Sequence, residues 1–445
     1  MPFFKNLTVG LTVGALTQAL SASVTILVIR KLGPHDRGVY AMVVVLNTML
    51  TYFLDLGISA GNETFLGKKE HSLGSLNWNS TAYSLILGSL AVVLGYAFRK
   101  TLEARILPGV NPSFILLGLL LLPFTLYCLY AESMLVGIEE IVLLNKLSLL
   151  QSSIVTLGSI FFVLALGGGV EALLFVWGTA FVVTALCFFI AIWSRDQGGF
   201  DPSLLWKSLS FGLRAFLARA FFRPGSLRLD SFLVNAIIGT TAVGYYSVAT
   251  AITDRVGPIL RAVLNAANRR ITGADRQASL SLTAKLTRNL ILILVPCVAI
   301  AILSSQLFIR VLFGPAFLPS VVPFRILCLG IIFFLPASVL VLFFQNQKGR
   351  PGFASTLIGA LFLISIPLYL LAVPRWGLAG AALGTVITQA GIFLALLVAF
   401  LKESKFGAAD LLFAQKEDIQ TIVNSALPRE LIRVVRRLSA KAFRD

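Results

Sequence analysis

The chain has 445 residues, 57% of them hydrophobic and only 13% charged, with a mean hydropathy of +0.88. Soluble globular domains carry about 25% charged residues, so that class is excluded and the chain reads as a membrane protein. A net charge of +17 would suit nucleic acid if it formed one basic face, but the Lys and Arg residues sort by side of the membrane instead.

Apolar runs near the length of a membrane-spanning helix occur twelve times, at about 7–29, 38–60, 77–97, 113–136, 147–166, 172–193, 208–238, 240–263, 289–307, 320–346, 352–374 and 378–401. In the first run, Ser21-Ala22-Ser23 is followed by more apolar residues up to Arg30-Lys31, a poor context for cleavage, so it reads as a retained helix. The seventh run holds Arg214, Arg219, Arg223 and Arg228, which depress its hydropathy. With the N-terminus in the cytoplasm, 22 of the 37 basic residues fall in cytoplasmic segments, 8 on the opposite side and 7 inside the runs. This bias follows the positive-inside rule and places both termini in the cytoplasm. Beyond Leu401 a polar tail ends in Leu427-Pro428-Arg429-Glu430-Leu431-Ile432-Arg433-Val434-Val435-Arg436-Arg437-Leu438, apolar and basic at helical spacing. Such a helix suits the anionic cytoplasmic leaflet, with docking to a partner protein as the alternative.

The chain also repeats itself. Leu32-Gly33-Pro34-His35-Asp36-Arg37-Gly38-Val39-Tyr40-Ala41 and Ile238-Gly239-Thr240-Thr241-Ala242-Val243-Gly244-Tyr245-Tyr246-Ser247 share one pattern, offset by 206 residues. A second echo pairs Gly167-Gly168-Gly169-Val170 with Gly377-Leu378-Ala379-Gly380. The expected organisation is two six-helix halves, 1–203 and 204–404, joined by the polar link Ser194–Asp201 and followed by a basic tail, 405–445. Six spans per half give parallel repeats, an arrangement in which substrate sites lie between the halves.

Charges inside the spans point to the chemistry. Ionisable groups at bilayer depth cost roughly 2.5 kcal/mol or more each and persist where they face a bundle interior or aqueous cavity. The intramembrane bases are Arg214, Arg219, Arg223, Arg228, Arg255, Arg261 and Arg325, against the acids Asp55, Glu132, Asp230 and Asp254, a net positive interior. Arg219 and Arg223 share a helical face, and Pro224-Gly225 should kink or unwind the helix beyond them. The guanidinium fork suits bidentate contact with phosphate oxygens, so Arg214, Arg219, Arg223, Arg228, Arg255 and Arg261 are candidate contacts for an anionic substrate. The competing reading has Asp230 neutralise one arginine while others snorkel to headgroups. Asp55, Asp230 and Asp254 are read as coupling acids for a proton or sodium, or as charge partners of the arginines.

Enzyme signatures are weak. The two histidines, His35 and His71, fall in expected loops, and Gly349-Arg350-Pro351 lacks the phosphate-loop pattern. Cys128, Cys187, Cys297 and Cys328 lie in apolar spans without metal-ligand spacing and read as packing residues. No catalytic group, metal or cofactor is expected.

Arg30-Lys31-Leu32-Gly33-Pro34-x-x-Arg37-Gly38-x-Tyr40, Asp55-Leu56-Gly57, Arg228-Leu229-Asp230 with Gly239-x4-Gly244-x-Tyr246, and Leu312-Phe313-Gly314-Pro315-x-Phe317 together resemble the Wzx-type polysaccharide flippases. These belong to the multidrug/oligosaccharidyl-lipid/polysaccharide (MOP) exporter superfamily. The resemblance spans residues 1 to 401 and implies an all-α, MATE/MurJ-like V-shaped bundle of twelve helices. It also implies transport of an undecaprenyl-diphosphate-linked oligosaccharide across the inner membrane by alternating access. Membrane lipids and polysaccharide synthesis proteins are the implied partners, and Arg219, Arg223 and Arg228 become candidates for the family's cationic cavity. A cation-coupled antiporter of the same superfamily is the alternative, disfavoured by the positive interior. A membrane glycan polymerase or ligase is disfavoured by the short loops.

Overall fold

The computed structural model describes residues 2–220, 228–257, 264, 271, 275–344, 351–404, 406–407 and 411, with backbone alone for 2–19, 105, 214–220, 351–352 and 355. Among these residues it is helical, without strands. The helices are α1 (Pro2–Leu54), α2 (Ile58–Gly67), α3 (Leu73–Ala97), α4 (Pro112–Leu120), α5 (Leu122–Gly137), α6 (Ile141–Gly158) and α7 (Val170–Trp193). They continue as α8 (Pro202–Ala220), α9 (Leu229–Ile237), α10 (Thr240–Asp254), α11 (Arg276–Phe313), α12 (Val321–Leu342) and α13 (Pro351–Glu403).

Eight stretches among the described residues are long and apolar enough to cross a membrane. Two of them hold expected spans that the sequence separates. Helices α1 and α13 run through bends at Gly33 (φ 74°) and Gly377 (φ 56°) where loops were expected. A single left-handed glycine redirects the axis there, and Pro34 follows Gly33 without needing a helical N–H partner. Both echoes of the repeat have the same device, with Gly239 at φ 117° matching Gly33 and Gly167 at φ 77° matching Gly377.

The expected seventh and eighth spans are not among the eight. The stretch 208–238 is two described helices, α8 and α9, flanking residues 221–227, and α10 ends at Asp254. The expected break at Pro224-Gly225 lies outside the described residues. The expected second span also breaks, at Leu56 (φ 44°) and Gly57 (φ 80°), before α2 resumes. The segment 264–288 between the expected eighth and ninth spans is helical from Arg276 onward, because α11 extends for 38 residues.

The chain forms two compact units. One comprises Met1–Ile252, Ser304–Leu327 and Ile358–Thr385. Its core is built on α5, whose Leu126, Tyr130, Ala131, Met134 and Leu135 are buried against Leu76 of α3 and Phe188 of α7. Polar side chains cross between helices inside it: Asn47 donates to the Gly118 carbonyl at 2.8 Å, and the Thr51 and Thr125 hydroxyls meet at 2.9 Å. Interhelical bonds of this kind take the place of the hydrophobic driving force that lipid does not supply. The other unit comprises Thr253–Leu303, Cys328–Leu357 and Val386–Asp445. There Phe343 packs on Phe400 with ring centroids 5.2 Å apart, and Arg276 pairs with Glu403 at 3.1 Å.

Candidate functional site

Asp230 sits in the first turn of α9 and is buried. Its Oδ1 accepts the Ser231 N–H at 2.8 Å, and its Oδ2 accepts the Tyr246 hydroxyl of α10 at 2.7 Å. The Tyr246 oxygen lies 3.4 Å from Thr385 Oγ1, which in turn lies 2.9 Å from the Tyr369 hydroxyl. Three hydroxyls therefore lead to one buried carboxylate and join α9 and α10 to α13. In low dielectric such a network rigidifies the elements it connects, and each missing partner is costly.

Arg228 precedes this acid by two residues and acts electrostatically on Tyr369. Its backbone is left-handed (φ 39°, ψ 37°), at the N-cap of α9. A non-glycine residue held there costs of order 1–3 kcal/mol. Its carbonyl accepts the Ser231 N–H at 3.0 Å, the bond that opens α9. The structure thus gathers Arg228, Asp230, Tyr246, Thr385 and Tyr369 in one place. Arg228 and Asp230 are candidates the sequence offers, whereas Tyr369 and Thr385 were missed. Their only sequence signal is a hydroxyl inside an apolar span.

The other candidate arginines are placed unevenly. Arg214 and Arg219 lie on α8, where only the backbone is described, and Arg223 and Arg261 lie outside the described residues. Asp254 and Arg255 close α10, both exposed.

Asp55 has a local role in the structure. Its carboxylate accepts the Ser59 N–H at 2.9 Å and the Ser59 hydroxyl at 2.8 Å. This satisfies a free donor at the start of α2, directly after the helix break. It also acts electrostatically on Tyr83 and Tyr130 of the same unit, and Tyr83 donates to the Leu54 carbonyl at 3.2 Å.

The recurrent motifs meet elsewhere in this unit. A side chain on Gly38 would strike the Thr240 carbonyl, and one on Gly244 would strike the Pro34 carbonyl. His35 Nδ1 lies 3.3 Å from Thr241 Oγ1, and Arg37 donates to the Ser247 hydroxyl at 3.1 Å. Asn235 and Thr240 both donate to the Pro108 carbonyl, at 3.2 and 2.9 Å, and Ser320 donates to the Tyr245 carbonyl at 2.8 Å. Residues that correspond in the repeat touch each other: Pro34 with the Thr240 segment, His35 with Thr241. These motifs build a helix crossing, and the arginines stand apart from it in the sequence.

Among the described residues the fold and its polar interior define an all-α, multi-pass membrane protein. An inward-facing multidrug resistance MATE family transporter of the MOP superfamily is 18% identical, with a TM-score of 0.68 over 88% of this chain and 96% of the other. Lipid II flippase MurJ in an inward closed conformation is 16% identical, with a TM-score of 0.69 over 89% of each chain. A MOP superfamily transporter from Pyrococcus furiosus, described by the reverse polarity of its binding pocket, is 16% identical with a TM-score of 0.60, covering 88% of this chain and 92% of that one. At these identities the likeness is one of fold. No curated protein matches. The chain belongs to the polysaccharide biosynthesis protein family, whose profile matches residues 27–322.

Proposed function

We propose that the protein is a flippase that moves an undecaprenyl-diphosphate-linked oligosaccharide from the cytoplasmic to the periplasmic leaflet by alternating access, for surface polysaccharide biosynthesis. The observation that carries this reading is the crowding of Arg214, Arg219, Arg223 and Arg228 into one expected span, 208–238, of a polysaccharide biosynthesis family member. A lipid-linked diphosphate brings two negative phosphoryl groups into a low-dielectric space, and fixed guanidinium groups offset that cost. Arg255 and Arg261 extend the same cationic set. The fold shared with a lipid II flippase supports the reading.

In this scheme the halves 1–203 and 204–404 rock against each other in the inner membrane with both termini cytoplasmic. The tail 405–445 rests on anionic lipid or meets synthesis proteins. Asp230 is the coupling acid we put forward, since the hydroxyls of Tyr369, Thr385 and Tyr246 form a path for a proton to reach it. Asp254 serves as a charge partner near Arg255, and Asp55 as the cap that keeps α2 in place.

The test is the double substitution Arg219→Ala with Arg223→Ala, followed by measurement of surface glycan in cells. Inserted protein at normal levels with export abolished is the expected result. Normal export at normal protein levels overturns the assignment of these arginines to the diphosphate.

A further inference from the structure

One arginine belongs to the helix crossing itself. Arg37, half-buried, donates from Nε to the Ser247 hydroxyl of α10 at 3.1 Å, and its guanidinium carbon stands 5.5 Å from the centre of the Tyr40 ring, within the range of a cation–π contact. The Ser247 hydroxyl gives its own hydrogen to the Gly244 carbonyl at 2.9 Å, so its oxygen meets Arg37 as an acceptor. Nε and the ring face fix the guanidinium in place. Among the described residues its two terminal nitrogens make no hydrogen bond and no carboxylate pairs with it.

The crossing does not need this charge. Under the 206-residue repeat Arg37 corresponds to Val243 and Ser247 to Ala41, and both counterparts are apolar and buried. Of the two equivalent position pairs, one holds Val243 and Ala41 and the other holds a cation and its anchor. The motif tyrosines differ in the same sense: Tyr246 donates to the Asp230 carboxylate at 2.7 Å, whereas its counterpart Tyr40 carries a guanidinium on its ring. A charge partly withdrawn from water without a counter-ion is costly, and in a membrane protein such a group marks a functional contact by default.

We propose that Arg37, held by Ser247 and Tyr40, is a receiving contact for a phosphoryl group on the side of the membrane that the proposed topology makes periplasmic. With Nε engaged, the edge that remains is the fork of the two terminal nitrogens, which matches two oxygens of a phosphate. Two sources supply that chemistry there: the diphosphate of a lipid-linked substrate, and the headgroups of anionic phospholipids in the bilayer. The first source rests on the flippase reading, in which Arg37 meets the diphosphate at the arrival end of its route. The contact itself does not.

The test is thermal unfolding of the full chain in phosphatidylcholine nanodiscs, wild type against Arg37→Gln and Ser247→Ala, with undecaprenyl diphosphate titrated in one arm and rising fractions of phosphatidylglycerol in the other. Without either lipid Arg37→Gln is expected to melt at the wild-type temperature or above, because it removes an uncompensated charge. Its apparent affinity for the recognised lipid should fall about tenfold or more, the worth of a charge-assisted hydrogen bond. Ser247→Ala, which places there the residue type of the first copy, keeps the charge without its anchor and should show a smaller fall. A response to undecaprenyl diphosphate that depends on Arg37 supports the contact and assigns it to the substrate. An Arg37-dependent response to phosphatidylglycerol alone supports the contact, assigns it to the bilayer and counts against the flippase reading instead. An Arg37→Gln protein that fails to insert, or melts below the wild type without added lipid, makes the guanidinium a structural tie and overturns the proposal. Unchanged affinity for both lipids, or a wild type that responds to neither, overturns it as well.

Discussion

Gly38 and Gly244 hold each other's neighbourhood open: the first makes room for the Thr240 carbonyl and the second for the Pro34 carbonyl, and the four positions are two pairs related by the repeat. The contact is therefore self-complementary, like the interface of a two-fold dimer, but formed within one chain. Tight backbone approach of this kind is how membrane helices gain van der Waals contact without large side chains.

Gly38→Ala and Gly244→Ala should each lower stability by about 1–3 kcal/mol, because the added methyl meets backbone that has no rotamer to yield. Gly61→Ala should change little, since its nearest neighbours lie at 3.5 Å and beyond. Thermal unfolding of the detergent-solubilised variants checks this. A Gly38→Ala protein as stable as Gly61→Ala would mean that the crossing is looser than its geometry.

Tyr246→Phe removes the donor to Asp230 Oδ2 and should cost about 1–3 kcal/mol, the cost of leaving a buried acceptor unmet. Adding Asp230→Asn should recover part of that loss by removing the charge that needed the hydroxyl. A double-mutant cycle on melting temperature measures the coupling, and strictly additive effects would contradict the hydrogen bond.

Asp201 caps α8 from outside the spans. The Ser203 hydroxyl, and next the Leu204 N–H, hold its carboxyl below the ordinary carboxylate range. A depressed folded pKa means the cap contributes its stability above the unfolded value of about 3.9 and loses it as pH falls through the folded value. The melting-temperature difference between the wild type and Asp201→Asn should be flat from neutral pH to about pH 5 and shrink below about pH 4. A difference that grew on acidification would reverse the sign and rule out the cap.

Reporter fusions after Leu401 and within 61–76 should both report the cytoplasm, as the distribution of Lys and Arg requires. A periplasmic signal at either position would break the parallel relation between the repeats.

Much of the fold was legible because lipid leaves few choices: apolar runs must be helices, and left-handed glycines such as Gly33 and Gly239 mark where they turn. The bends at Gly33 and Gly377 were read as loops because hydropathy registers charge and polarity, not axis direction. The early start of α11 was missed for a related reason, since Arg276 to Arg288 is polar helix that projects past the apolar run. At the site, Asp230 and Tyr246 stood out as motif residues near arginines. Thr385 and Tyr369 did not, because Thr385 meets Tyr246, which lies 139 residues away in the chain, and Tyr369 joins the network only through Thr385. Asp55 was read as a coupling acid or charge partner, and its bonds from Ser59, four residues on, were not anticipated.

Leu204, Leu205 and Leu209 of α8 pack in the core built on α5, and this bears on how the chain is made. Membrane proteins emerge and assemble from the N-terminus, and the first six expected spans end near Trp193, before Leu204, Leu205 and Leu209 exist to close the core around Tyr130 and Phe188. A nascent chain arrested at residue 203 would display that gap to lipid and to quality control. A cell that completes α8 closes this part of the core first, before Asn235, Thr240 and Gly244 arrive to add their contacts with Pro108 and Pro34.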